Sequence, residues 1–315
     1  DVNIDRADRL GLILPTSLCA SQVARGIARQ LNATAEKASG GVTRFVALPH
    51  TEGCGVSGGI SEQLYLRTMA GYLAHPLVAR ALVLEHGCEK THNDAMRDFI
   101  AQRGIDPQRF GWASIQLDGG FEKVTGKIAS FFQLKAELSH PPQPLTIALT
   151  ASEAVPDLIA EAFAQAAAAI VESGGSVVVP QNCAALLEAP AFKDMFTGGT
   201  GASVAYGEAV RVPGFHIMEA PTEHWIETLT GLGGTGAEII VAYVQQALQG
   251  HPLVPTIQLG PEGAPDIDAA ATGEGLADRM LELVRGVARG GYVPRNLILD
   301  NTDFQITRGL LGVSL

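Results

Sequence analysis

Apolar runs of strand length alternate with segments of helical period along most of this chain, and that alternation constrains the fold more than any other feature. Gly11-Leu-Ile-Leu-Pro15, Arg44-Phe-Val-Ala-Leu48, Ala81-Leu-Val-Leu-Glu85 and Ala113-Ser-Ile-Gln-Leu117 are the first four runs. Segments 21–31, 61–73, 93–103 and a stretch ending at Leu134 follow them at helical spacing, with Ser21 placed as an N-cap. Strand and helix in strict succession imply parallel strands joined by crossovers, hence an α/β fold with a Rossmann-like sheet.

Ser139-His-Pro-Pro-Gln-Pro144 cannot continue a helix and suits an extended linker. Beyond it the pattern resumes, with strands expected at 145–149, 176–179, 215–218, 238–244 and 254–259, and helices at 155–172, 222–231 and 275–289. The chain therefore reads as two Rossmann-like parallel-sheet units, residues 1–139 and 145–315. The Ala-rich stretch 160–170 is a strong helix former whose small side chains suit close packing. Phe196-Thr-Gly-Gly-Thr-Gly-Ala202 reads as a surface loop, since its glycines match neither phosphate-loop spacing.

A length of 315 residues suits two cores, and 46% apolar with 17% charged residues describes a chain that buries them well. A net charge of −11 with no basic run argues against nucleic acid or an anionic membrane as partner. No apolar run is long enough to span a bilayer, and the opening Asp1-Val-Asn-Ile-Asp-Arg6 does not have the form of a signal peptide. The four cysteines are scattered, which suits reduced thiols in the cytoplasm better than a disulfide framework. A small molecule is the expected partner, and a homo-oligomer the expected assembly.

Three of those cysteines, Cys19, Cys54 and Cys88, each follow one of the first three apolar runs. On neighbouring parallel strands they would emerge on one sheet edge, where α/β proteins build their sites. A lone cysteine is usually a small core residue, and Cys183 is read that way; three in equivalent places suggest a soft-metal or iron-sulfur constellation. Pro49-His-Thr-Glu-Gly-Cys-Gly55 packs an imidazole, a carboxylate and a thiol into five residues. His86-Gly-Cys-Glu89, with His92 beyond, offers the same mixture on the next strand. Divalent iron or zinc accepts thiolate and imidazole together. Cys19, at a helix start, sits where amide N–H groups favour thiolate. Arg67 and Lys90 are candidate anchors for a substrate carboxylate. His75 suits a helix C-terminus, and His140, His216, His224 and His251 read as surface or capping residues.

The first half resembles the altronate and galactarate dehydratases, a family that also includes a sulfolactate sulfo-lyase. The resemblance rests on Leu14-Pro-Thr-Ser-Leu-Cys19, Leu48-Pro-His-Thr-Glu-Gly-Cys-Gly55, Leu66-Arg-Thr-Met-Ala-Gly-Tyr-Leu-Ala-His-Pro76, Gly87-Cys-Glu89 and Ile115-Gln116 with Gly119-Gly120. It implies dehydration of a sugar acid to a 2-keto-3-deoxy product, supported by ferrous iron. By position it implies Cys19, His50, Cys54 and Cys88 as ligands of Fe2+ or an iron-sulfur cluster, another divalent metal being an alternative. It implies Glu52, Glu89 or His92 as proton carriers; Thr51, with Arg67 and Lys90, is a candidate substrate contact.

The second half departs from that family. Its Gly-Gly-Ser-Asp motif is replaced by Thr150-Ala-Ser-Glu153, where Ser152 and Glu153 stand in for the Ser-Asp pair, and an arginine-bearing motif by Ile240-Val-Ala-Tyr-Val-Gln-Gln246. A small N-terminal domain found in many members has no counterpart in these residues, and a separate small subunit is one way to supply it. The expectation is a hydro-lyase with an altered hydroxy-acid or sugar-acid substrate. The alternative is a non-catalytic or regulatory paralogue that binds an acid or metal without turnover.

Overall fold

The structure is a computed structural model, and it describes residues 7–34, 41–55, 58–134, 144–197, 201–261, 266–269 and 275–310. The chain forms two compact units, one of Asp8–Ser139 with Phe304–Leu315, the other of Asp1–Ala7 with His140–Asp303. The return of the tail to the first unit has no signature in hydrophobic period.

In the first unit the elements are β1 Leu10–Pro15, α1 Leu18–Thr34, β2 Arg44–Ala47, α2 Gly59–Leu73, β3 Val78–Glu85, α3 Asn93–Gln102, β4 Gly111–Ser114 and α4 Phe121–Gln133. The four strands pair in parallel in the order β2-β1-β3-β4. Every residue of β1 is buried, as its unbroken apolar run requires when helices cover both faces of a parallel sheet. Ile13, Leu82, Leu84 and Ala113 meet Ala24 and Ile27 of α1 and Val124 and Ile128 of α4 in one core. The strand order places a switch point between β1 and β3, whose following helices lead to opposite edges of the sheet.

The second unit contains β5 Thr146–Ala151, α5 Asp157–Glu172, β6 Ser176–Pro180, α6 Ala184–Leu187, α7 Pro190–Thr197, β7 Gly201–Val204 and β8 Gly214–Met218. It continues with α8 Trp225–Gly234, β9 Ile239–Tyr243, β10 Thr256–Gly260, β11 Ile267–Asp268, α9 Leu276–Ala288 and α10 Arg295–Ile298. Its seven parallel strands run β11-β10-β9-β5-β6-β8-β7. Ala160, Ala164 and Ala167 of α5 are buried in the core against this sheet, which is the close packing their size suggested. Cys183 is buried in the same core.

Several local readings are corrected. The fourth run begins two residues earlier than its apolar pattern suggested, and 115–117 belong to a turn, where Gly120 N–H bonds Ile115 O at 2.8 Å. The glycine-rich segment is not simply a loop: Phe196 and Thr197 end α7, and 201–204 pair with β8, while 198–200 lie outside the described residues. Residues 139–143 of the expected linker, His140 included, also lie outside them. His251 and His216 are buried rather than superficial, and His251 Nδ1 accepts from the amides of Leu253 and Val254 at 3.1 and 3.0 Å. His75 Nδ1 accepts from Leu77 N–H at 3.1 Å in the same way, so each His-Pro-Leu turns the chain into a strand. No helix among the described residues is long and apolar enough to cross a membrane.

Candidate functional site

Because all four strands of the first unit are parallel, the loops after β1, β2, β3 and β4 emerge on one edge. The loop after β1 is closed by Ser17, whose Oγ accepts from Ala20 N–H at 3.2 Å and so caps α1. Ser21 is not the cap. It lies one turn inside the helix and binds the next loop instead, accepting from His50 N–H at 3.0 Å. Gly53 in that loop has φ of +100°, and a Cβ there would stand 1.9 Å from Thr16 O. Only glycine lets the two loops approach this closely. Leu18 N–H then bonds Glu52 O at 3.0 Å.

Cys19, Cys54 and Cys88 are all exposed, and Cys54 Sγ lies 3.9 Å from Cys19 Sγ. Cys19 does not gain the lowered pKa expected of a helix start. Its hydrogen bond with Cys54 pushes it up, with burial and the neighbouring Cys54, Cys88 and Glu89 charges adding to that. Two thiolates on one tetrahedral ion with bonds of about 2.3 Å stand roughly 3.8 Å apart, so this pair fits two adjacent corners of such a site. Cys88 Sγ sits 3.3 Å from His86 Nδ1. Among the described residues no group of three or more His, Cys, Asp and Glu side chains is arranged to hold a metal ion.

His50 does not join the thiols. It is buried, its Nε2 lies 2.8 Å from Pro15 O, and its Nδ1 accepts from Glu52 N–H at 3.2 Å. That pattern fixes the neutral tautomer with the proton on Nε2 and leaves neither nitrogen for a metal. Burial lowers its pKa to about 4, against the opposing effects of Pro15 O and Glu52.

The two carboxylates are also differently placed from a pair of proton carriers. Glu89 is buried, and it clasps the switch point: Oε1 accepts from Ser17 Oγ at 2.6 Å, Thr16 Oγ1 at 3.2 Å and His86 N–H, while Oε2 accepts from Gly87 N–H at 2.7 Å. Burial alone would raise its pKa, but the Ser17 hydroxyl and the backbone amides outweigh it and hold the carboxyl below its usual range. A carboxylate so held is a poor proton acceptor. Glu52 is 1% exposed, and its Oε1 accepts from Nε and Nη2 of Arg308 at 2.9 and 2.8 Å and from Thr51 Oγ1 at 2.9 Å. Glu52 is therefore spent on Arg308 and Thr51, and the Arg308 side chain is 43% exposed.

Arg308 is the residue that sequence reasoning missed. It lies 256 positions from Glu52 and follows no family motif. The sequence carries no signal for it, since the burial of Glu52, which calls for a cation, is visible only in the fold. His92 is exposed at the N-cap position of α3, and Lys90 is exposed on the same β3–α3 loop. Arg67 is half-buried in the third turn of α2. Ser152 and Glu153 belong to the seven-stranded unit, directly after β5, where Ser152 N–H bonds Tyr243 O at 3.0 Å.

Residues 11–138, which carry the loops after β1, β2, β3 and β4, match the family described as D-galactarate dehydratase/altronate hydrolase, second domain. Over this segment, less than half of the chain, the protein is similar to that family. The matched segment thus coincides with the four-stranded sheet and its switch-point loops, while Arg308 comes from outside it. No curated protein matches the chain.

Proposed function

We propose that this chain is a hydro-lyase that removes water from a small hydroxy acid or sugar acid by metal-assisted β-elimination, giving a 2-keto-3-deoxy type product. The observation that carries the reading is the ion pair of buried Glu52 with half-exposed Arg308, set two residues from Cys54 in a segment similar to the dehydratases. An acid substrate needs a cation at its carboxylate, and a guanidinium oriented by a buried acid is suited to the task.

In this reading Arg308 receives the substrate carboxylate, with Glu52 and Thr51 holding the guanidinium in place. Neutralising that carboxylate acidifies the α C–H. The exposed imidazole of His92 takes the proton, and Lys90 on the same loop meets a substrate hydroxyl. Loss of the β-hydroxyl leaves an enol, which becomes the 2-keto acid. Ferrous iron, another divalent ion or an iron-sulfur cluster held by Cys19 and Cys54, with Cys88 as the third thiol, would supply Lewis acidity to the departing hydroxyl.

A second reading is favoured by one observation: both carboxylates near the thiols are committed to structural hydrogen bonds. A protein built this way would bind an acid without turning it over.

Anaerobically purified protein, iron-loaded and incubated with a panel of C5 and C6 aldonic and aldaric acids, separates the two. The proposal expects 2-keto acid from at least one, with Arg308→Ala raising KM and His92→Gln lowering kcat. Saturable binding with no product would establish the second reading. Neither metal nor acid binding would sink both.

A further inference from the structure

The seven-stranded unit carries a cavity that the reading above does not use. It is open to solvent, measures about 520 Å³ and lies along α9, lined by Arg279, Arg285, Arg289, Tyr292 and the backbone of Gly286 and Gly291, with Leu283 at its apolar side and, among the described residues, Glu282 as the acid in its lining. We propose that this cavity binds a compact polyanion, a small molecule bearing two or more phosphate or carboxylate groups.

Three features point there. The first is charge: in a chain with net charge of −11, three arginines line one cavity. Among the described residues no ion pair satisfies any of them, although Glu282 is spaced three residues from both Arg279 and Arg285. Each is exposed. Arg285 and Arg289 stand at the C-terminal end of the helix, where a cation complements the helix dipole. Arg279 is in the first turn, where the dipole disfavours it, so helix stability does not account for the set.

The second is the floor. Gly286 sits inside α9, where glycine costs about 1 kcal/mol relative to alanine. A Cβ there would meet only Tyr292 Cβ, at 3.5 Å, so packing does not demand the glycine. Its missing side chain keeps the space between Arg285, Arg289 and Tyr292 open.

The third is the wall. Tyr292 OH donates to Asp266 Oδ1 at 2.7 Å, which also accepts from Arg295 N–H at 2.9 Å, and Gly291 and Tyr292 N–H both bond Gly286 O. The ring is therefore held beside the arginines, and the volume suits a metabolite-sized ligand. Bidentate guanidinium forks suit phosphate and carboxylate oxygens equally.

The test is calorimetric titration of the full chain with inorganic pyrophosphate and, separately, with citrate, in 0.15 M sodium chloride. The variants are Arg285→Gln/Arg289→Gln, Gly286→Met and, as a control on an exposed arginine elsewhere, Arg211→Gln. The proposal expects saturable binding of at least one anion, weakened tenfold or more by both cavity variants and unchanged by Arg211→Gln. The stronger of the two anions assigns the ligand as phosphorylated or polycarboxylic. No saturable binding of either anion, or equal loss in Arg211→Gln, overturns it. Should the double variant not fold, by circular dichroism, Gly286→Met decides alone, since it adds bulk without removing charge.

Discussion

At the scale of the residue, the site motif divides its labour in a way that spacing alone does not reveal. His50, Glu52 and Cys54 are two apart, yet the imidazole and the carboxylate are buried and only the thiol is exposed. A sequence names residue types at a position; burial decides which can meet a ligand, and the two ring nitrogens of His50 are spent on Pro15 O and Glu52 N–H. Its lowered pKa, about 4 against 6.5, has a consequence for stability. The unfolded chain binds a proton below 6.5 that the folded one refuses until about 4, so stability falls as pH drops through that window. The loss reaches about 3 kcal/mol by the lower end. Urea titrations between pH 7.5 and 4.5 should show this slope, and His50→Asn, though less stable, should show it diminished. Gly53→Ala should cost about 2 kcal/mol or more, because the added Cβ collides with Thr16 O and φ is +100°. Its midpoint in urea measures that.

At the scale of the element, the strands and helices were legible because each unit repeats one pattern, and the mismatches occur where another interaction overrides the period. Ser17 rather than Ser21 caps α1, since Ser21 is claimed by His50 N–H. β7 went unread because glycine-rich strands carry little pattern, and its pairing is set by β8 rather than by its own side chains. Glu89 joins the loops at the switch point: it ties the end of β1 to the start of the β3–α3 loop through two hydroxyls and two amides. Glu89→Gln keeps the shape but removes the charge that strengthens these bonds, and turns an NH2 toward donors. The expected cost is about 2–4 kcal/mol. Hydrogen exchange should rise at 86–92 and 16–19 while the amides of α4 remain protected; unchanged protection in those loops would show that Glu89 is not the clasp.

At the scale of the whole molecule, the chain leaves the first unit at Ser139 and comes back to it at Phe304, so the last described residues complete a unit begun near the start. Nothing in hydrophobic period announces such a return. Its importance rests on what the tail supplies. Phe304 and Ile306 are almost fully buried, and the Phe304 ring packs edge-on to Tyr72 with centroids 5.3 Å apart. Arg308 balances Glu52, and Ser61 Oγ donates to Arg308 O at 2.9 Å. Deleting residues from 304 onward removes two apolar side chains worth about 1.5–3 kcal/mol each. It also strands a buried carboxylate at a cost of roughly 3–5 kcal/mol. The total is comparable with the whole stability of a typical domain, about 5–15 kcal/mol. The truncated chain should therefore lose the first unit and keep the second: limited proteolysis would cut within 10–133 while 146–260 stays resistant. Arg308→Ala alone should cost about 3 kcal/mol or more, and Glu52→Gln combined with it should recover part of that loss, because the charge left behind, rather than the missing contact, dominates the penalty.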